Sequence, residues 1–508
     1  MFAKTYGATT LGVNGVLIDV EVDVSNGFPG FDIVGLLDTA VKESKERVRT
    51  AIKNSGFKVK QQKVTINLAP ANIRKDSSGL DLPIAVGLLV AYGILPQEKT
   101  EAALFAAELS LEGELRAVSG ILPMTLHAKE RGLKKIFVAP ENANEALLVD
   151  GVEVCAVQHL ADLVEGLREE GASFPPLPAP SLKDPVAGEQ EDFADVQGQF
   201  MAKRALEIAA AGGHNVLMVG VPGAGKTMLS RRLASILPEM TRQEALEVTK
   251  IYSIAGLLQN HAGLITTRPF RSPHHTTSST AIIGGGSIPR PGEVTLSHNG
   301  VLFLDELPEF GKAVLEVLRQ PLEDGQVTVA RVSATLTFPS RMILVCAMNP
   351  CPCGWSGDKE KPCTCAPNEI KRYTRKISGP LLDRIDIHIR VPRVEYKELT
   401  ASQPAESSAV IRQRVTAARR RQIERLQDFH AVCNAQMSHA VLKKTCTLTA
   451  EAQKLLEQAF HRMNMSARSY DRIIKVARTI ADLDNQEKIA QEHVAEAIQL
   501  RNDIGLDV

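Results

Sequence analysis

Aromatic residues are scarce in this chain. Only 4% of its 508 residues are Phe, Tyr or Trp, with a single Trp. That scarcity argues against a surface that stacks a run of single-stranded bases. Net charge is missing too: 59 Lys and Arg balance 59 Asp and Glu. The balance argues against a protein held to nucleic acid by bulk charge and leaves local basic surfaces open. Long apolar runs are also absent. The longest, Ile84 to Leu95, falls short of the ~20 residues a membrane-crossing helix requires and reads as a buried helix, so no membrane partner is expected. The N-terminal stretch lacks a basic segment followed by an apolar core. No signal peptide is therefore expected, and the cytoplasm is the expected compartment. There the 8 Cys are expected as reduced thiols or metal ligands, not as disulfides.

What is present is an ordinary globular balance, 44% hydrophobic and 23% charged, with length for two to four domains. Residues 1–168 alternate strand-like and helical patterns: Leu17 to Val22 alternates as a strand does, and 38–54 reads as a charged helix. Residues 169–192 form a linker, rich in Pro, Ala, Gly and acid from 171 onward. Between 193 and 395 a strand–loop–helix pattern predicts a parallel α/β sheet. From 396 to 508 the pattern is helical. Ala452, Leu455, Leu456 and Ala459 make one apolar stripe, and Ile473, Val476, Ala477 and Ile480 another, which predicts a small helical bundle.

The chemistry concentrates in the middle region. A short apolar strand, Asn215 to Val219, runs into Gly220, Val221, Pro222, Gly223, Ala224, Gly225, Lys226 and Thr227, and then into a helical stretch. This is the phosphate-binding loop GxxxxGK[ST] in the context it needs. Its glycines let backbone N–H groups converge on phosphate oxygens, and the helix N-terminus adds its positive end. Lys226 is expected to reach the β- and γ-phosphates of ATP, and the Thr227 hydroxyl to hold Mg²⁺. Downstream, Val301 to Leu304 form an apolar strand that ends in Asp305 and Glu306. Asp305 is the expected second Mg²⁺ ligand, and Glu306 the carboxylate that polarises water. A third strand, Met342 to Met348, ends at Asn349, a polar side chain placed to meet the γ-phosphate or the water.

Cys351, Cys353, Cys363 and Cys365 form two CxC pairs in a Pro- and Gly-rich stretch, either a tetrahedral zinc site or free thiols in a loop. Cys155, Cys346, Cys433 and Cys446 read as buried or incidental. His274 and His275 are loop neighbours expected to point apart, without a metal role. The Arg-rich stretch 412–425 reads as a solvated helix face rather than a nucleic-acid contact. Val327 to Ala330 alternate around a turn near Arg331, the pattern of a hairpin.

Several longer stretches carry a resemblance: 268–275, 284–310, 348–354, 377–389 and 466–483. With them the sequence resembles the magnesium-chelatase-like AAA+ ATPases of the ComM/YifB type over essentially its whole length. The resemblance implies an N-terminal Lon-protease-like (S5-like) α+β domain, a P-loop AAA+ α/β core with hairpin insertions, and a C-terminal helical lid. It makes Asn349 the sensor-1 residue, Arg384 an arginine finger offered to a neighbouring subunit, and Arg468 sensor 2. The plain alternatives are a pair with Asp383 or Asp386 for Arg384, and a helix-surface ion pair for Arg468. It places insertions at 283–299 and 326–338, with Arg290 and Arg331 as candidates for DNA phosphate contacts. It also implies a ring, expected as a hexamer, that works on branched or single-stranded DNA as a helicase in branch migration. A chelatase-like motor subunit or a chaperone without DNA activity is the rival reading. In the N-terminal domain the protease serine falls on Gly79, with Ser77 and Ser78 beside it. The protease lysine falls on Leu122, with Lys129 the nearest lysine downstream. An inactive protease fold is therefore expected.

Overall fold

The computed structural model describes residues 1–36, 38–75, 78–168, 174, 177, 191–258, 263–286, 289–331, 335–358, 360–394, 405–463 and 465–502. Ser77, most of the 169–192 linker and the 395/396 boundary thus lie outside the described residues. The chain divides into two compact units, Met1–Val186 with Arg242–Thr266, and Ala187–Thr241 with Thr267–Val508. The sequence did not announce that 242–266 groups with the first unit.

The first unit is built on a seven-stranded sheet in the order β3-β4-β2-β1-β5-β8-β9. Its strands are β1 (Phe2–Leu11), β2 (Asn14–Ser25), β3 (Gly30–Val34), β4 (Lys63–Ala69), β5 (Ala103–Ala106), β8 (Lys135–Val138) and β9 (Glu153–Ala156). A short ribbon, β6 (Glu108–Leu109) and β7 (Leu115–Arg116), stands beside it. Alternation along β2 sends Ile18, Val20, Val22 and Val24 inward, as a strand with one covered face must. The expected helices form at Thr39–Asn54 and Asp81–Ala91, the latter buried along its whole length. Each of its Leu, Ile and Val side chains contributes ~1.5–3 kcal/mol by leaving water.

The positions compared with a protease dyad are apolar or turned to structural use. Leu122 is fully buried in the helix Ile121–Glu130, and its N–H donates to Glu145 Oε1 at 2.7 Å. Gly79 is buried, and its carbonyl accepts from the Ala107 N–H. Lys129 is exposed on the last turn of Leu122's helix.

The second unit carries a five-stranded sheet, all parallel, in the order β11-β14-β17-β10-β18. These are β10 (Val216–Val219), β11 (Phe270–Arg271), β14 (Val301–Leu304), β17 (Ile343–Met348) and β18 (Ile387–Arg390). β10, β14 and β17 are buried throughout, which is why they read as continuous apolar runs rather than as alternation. Two ribbons stand apart from this sheet: β12 (Gly284–Gly285) with β13 (Arg290–Pro291), and β15 (Gln326–Ala330) with β16 (Thr335–Pro339). The second is the hairpin expected around Arg331. C-terminal helices at Ala450–Arg462 and Ala467–Leu483 bury Ala452, Leu456, Ile473, Val476, Ala477 and Ile480 on one core. No described helix is long and apolar enough to cross a membrane.

Candidate nucleotide site

Strand order decides where the polar residues meet. β10 lies between β17 and β18, so its C-terminal end opens between Asn349 and Val391. Such strand ends are where ligands bind in open parallel sheets. Gly220 sits against that edge: a Cβ there would fall 2.4 Å from the Val391 carbonyl oxygen, so only glycine fits. Gly225 closes the loop with φ +85, a conformation glycine adopts without strain, and the helix Lys226–Ile236 begins at once.

Lys226 is buried. Its Nζ donates to the carbonyls of Gly220 (2.7 Å) and Val221 (3.0 Å) and to Asn349 Oδ1 (3.2 Å). Burial pushes its pKa down, opposed by the charges of Asp305 and Glu306. Thr227 Oγ1 donates to Asp305 Oδ2 at 2.8 Å. The structure thus joins Lys226 with Asn349, and Thr227 with Asp305, across strands far apart in sequence. Asn349 is braced in turn: its backbone meets Tyr373, whose hydroxyl is pushed up to about 12, by burial first and then by the charge of Glu309.

Glu306 stands beside a residue given no role in the sequence reading. Its Oε2 lies 3.3 Å from His275 Nδ1. The two histidines do not point apart. Their rings lie 4.1 Å apart at 34°, and His274 Nδ1 meets Thr276 Oγ1 at 2.9 Å. No local sequence signal announces this, since the two residues stand 31 positions apart in numbering.

Among the described residues, neither Arg384 nor Arg468 bonds to the phosphate loop. Arg384 pairs with Glu323 and donates to the Pro380 carbonyl at 2.8 Å, with a side chain only 14% exposed. Neither Asp383 nor Asp386 is its partner: Asp383 faces Arg501, and Asp386 is held by Arg472 and His214. Arg468 is exposed near the start of Ala467–Leu483 and makes no hydrogen bond or ion pair with a described residue.

Arg290 and Arg331 are both exposed, one on each ribbon. The ribbons are neighbours, since a Cβ on Gly285 would lie 3.1 Å from Arg331 Nη2. The Arg-rich helix Ser408–Leu426 is in part the solvated face expected, with Gln413, Arg420 and Glu424 exposed, but other arginines turn to the protein. Arg414 pairs with Glu207, Arg419 donates to the carbonyls of Ala210 and Ala211, and Arg421 and Arg425 hold Asp482. These arginines tie the helix to its own unit.

The four clustered cysteines come together. Their Sγ atoms all lie within 4.8 Å of one another. Those of Cys351, Cys353 and Cys363 are separated by 3.4, 3.6 and 3.7 Å. A tetrahedron with metal–sulfur bonds of 2.3 Å has edges of about 3.8 Å, so the donor set fits zinc. N–H groups of Trp355 and Thr364 pull the Cys353 thiol down to about 5, while burial pushes Cys351 up. Despite the Cys353 N–H, Cys365 is pushed up to about 12 by burial and its neighbouring thiols, so the fit to a metal rests on the spacing alone. Cys155, Cys346, Cys433 and Cys446 are buried singly.

A parallel sheet of this order, with a phosphate loop after its β10 strand and an Asp-Glu pair after β14, defines a P-loop nucleotide-binding protein. Comparison with known proteins narrows the class. Residues 192–399 match the family described as magnesium chelatase, subunit ChlI. Residues 20–142 match subunit ChlI of Mg-chelatase, and residues 405–501 the ChlI C-terminal family. Competence protein ComM of Haemophilus influenzae is 43% identical over 507 residues, covering 98% of this chain and 97% of ComM. YifB of Escherichia coli is 43% identical over 493 residues, covering 97% and 95%. Lon protease 2 of Bacillus subtilis is 27% identical over 177 residues, 31% of this chain and 32% of that protein. The chain belongs to the magnesium-chelatase-like AAA+ family, in the branch that holds ComM and YifB. Membership implies nucleotide hydrolysis with ATP and Mg²⁺, and assembly into an oligomer.

Proposed function

We propose that this chain is a ring-forming, ATP-dependent DNA motor, a helicase that promotes branch migration in homologous recombination of incoming DNA during natural transformation. The observation that carries the reading is the exposure of both Arg290 and Arg331 on adjacent ribbons of the unit that holds the nucleotide site. Exposed guanidiniums on short hairpins suit phosphate contacts that position a strand without reading its bases. The similarity to a competence protein supports the same reading.

In this mechanism Lys226 leaves its loop carbonyls for the β- and γ-phosphates. Thr227 and Asp305 would supply oxygen donors for Mg²⁺, whose charge would offset that building on the phosphates. Glu306 accepts a proton from the attacking water, and Asn349 orients it. Arg384, from a neighbouring chain of a hexameric ring, stabilises the transferred phosphoryl group, and Arg468 contacts it from the helical lid. The cysteine cluster, two residues past Asn349, holds a structural zinc. Domain boundaries at 168, 192 and 395 complete the proposal, with the first domain lacking proteolysis and serving as a platform for assembly.

The test is ATP turnover by the purified chain with and without branched DNA, with Glu306→Gln as the blank. Stimulation that disappears in the variant supports the motor. Turnover indifferent to every DNA moves the reading to a chelatase-like motor subunit or a chaperone, which the family match also supports.

A further inference from the structure

We infer that the loop carrying the four clustered cysteines is a brace for the phosphate loop, so that zinc on the thiols and nucleotide on the phosphate loop strengthen each other's binding. The zinc half rests on the reading of the cluster above; the brace does not.

Two contacts carry the inference. The turn from Cys351 to Gly354, in which the Gly354 N–H donates to the Cys351 carbonyl at 3.0 Å, lies directly against Pro222. A Cβ on Gly354 would fall 2.7 and 2.8 Å from Pro222 Cγ and Cδ, closer than a side-chain carbon can come. Gly354 also stands at φ +87, so glycine alone meets both demands. A proline ring cannot swing aside as a flexible side chain would, so the backbone of one loop sets the place of the other. The second contact runs through partners. Trp355, the single Trp of the chain, packs on the core of this unit, with the Arg393 guanidinium 5.1 Å from its ring centroid. The Pro392 carbonyl, next to Arg393, accepts from Gln199 Nε2 at 2.7 Å, and that nitrogen also donates to the Ala224 carbonyl at 3.3 Å. The cysteine loop thus reaches the phosphate loop at Pro222 and again at Ala224.

Both ends of the cysteine loop are tied to Asn349. The loop leaves β17 at Asn349, whose Oδ1 accepts from Lys226, and it returns in the helix Pro367–Thr374, where Tyr373 meets the Asn349 backbone. Four sulfurs on one ion would fix the stretch 351–365 in one shape. Without the ion that stretch regains backbone freedom, and Gly354 no longer holds Pro222 in place. An ion that orders the brace therefore raises the affinity for nucleotide, and nucleotide raises the affinity for the ion by the same factor.

The experiment measures binding of methylanthraniloyl-ADP with Mg²⁺ to the full chain loaded with zinc, stripped by a zinc-selective chelator, and reloaded. Stripping is expected to weaken binding at least about fivefold, and reloading to restore it. Gly354→Ala keeps all four thiols; it should hold zinc yet bind the probe at least about fivefold more weakly. Pro222→Ala removes the ring that Gly354 touches; it should hold zinc, with probe affinity changing less than about twofold on stripping. Wild-type affinity that ignores stripping overturns the linkage. A folded Gly354→Ala chain that binds the probe as the wild type does overturns the brace. A loss on stripping that persists in full in Pro222→Ala also overturns it, and decides the matter if Gly354→Ala does not fold. A chain that takes up no zinc ends the zinc reading and the linkage together, and Gly354→Ala still decides the brace.

Discussion

Thr227 Oγ1 donates to Asp305 Oδ2 across 2.8 Å, joining the first turn after the phosphate loop to a strand two places away in the sheet. These two oxygens are the proposed cradle for Mg²⁺. Asp305→Asn removes a charge and one ligand with little change in shape. It is expected to lower kcat by about 100-fold or more and to raise the Mg²⁺ needed for half-maximal turnover. Phosphate release measured across a Mg²⁺ titration checks this. A variant with the wild-type Mg²⁺ midpoint would remove Asp305 from the metal site.

Arg384 is held against Glu323 within its own chain, and its buried Nε has no partner among the described residues. If its task lies in a neighbour's site, the defect should complement. Arg384→Ala and Lys226→Ala are each expected to be nearly inactive alone. Mixed in equal amounts, they should recover a measurable share of turnover, because some interfaces then pair an intact loop with an intact arginine. No recovery in rings shown to exchange subunits would place Arg384 in its own chain's chemistry.

The cysteine cluster predicts one zinc per chain by elemental analysis. The four thiols of Cys351, Cys353, Cys363 and Cys365 should resist a thiol reagent until a chelator is added. Cys351→Ser, at the buried member, should lose the metal and lower the melting temperature. Four thiols that react at once in metal-free, fully stable protein would make the cluster a set of free cysteines.

His388 sets a pH dependence. Burial first, and then the Arg501 guanidinium, push its pKa down to about 4. An unfolded histidine titrates near 6.5, so between these values the unfolded chain binds a proton that the folded chain refuses. Stability is therefore complete above about pH 6.5 and falls as pH drops toward 4, by up to about 3 kcal/mol. Burial of Asp386 works against its ionisation, yet Arg472 and His214 hold its carboxyl below the ordinary range. Its own loss thus begins under the His388 window. Melting temperature against pH should slope through that window in the wild type and flatten in His388→Leu; an unchanged slope would assign the effect elsewhere.

What the sequence disclosed followed from local pattern. The strand before Gly220, the alternation around Arg331 and the stripes at Ile473 and Ile480 each depend on residues a few places apart, and each element formed where its period placed it. What it hid depends on contacts between distant segments. Nothing near Arg414, Arg419 or Arg425 announces that Glu207, the Ala210 and Ala211 carbonyls and Asp482 await them. Glu323 is 61 residues from Arg384, and Glu306 is 31 from His275 by numbering. Periodicity places a side chain on a face but does not say which distant group that face will meet.

The arginines of Ser408–Leu426 that are bonded within their own chain bear on how salt should govern DNA binding. A guanidinium committed to its own fold displaces no counterions from a nucleic acid, so Arg414, Arg419, Arg421 and Arg425 are removed from that count. With Arg290 and Arg331 as the contacts, one subunit releases about two ions, and the logarithm of affinity falls only gently with the logarithm of salt. A ring adds its subunits together. The steepness of the salt dependence then becomes a count of how many subunits grip the strand at once.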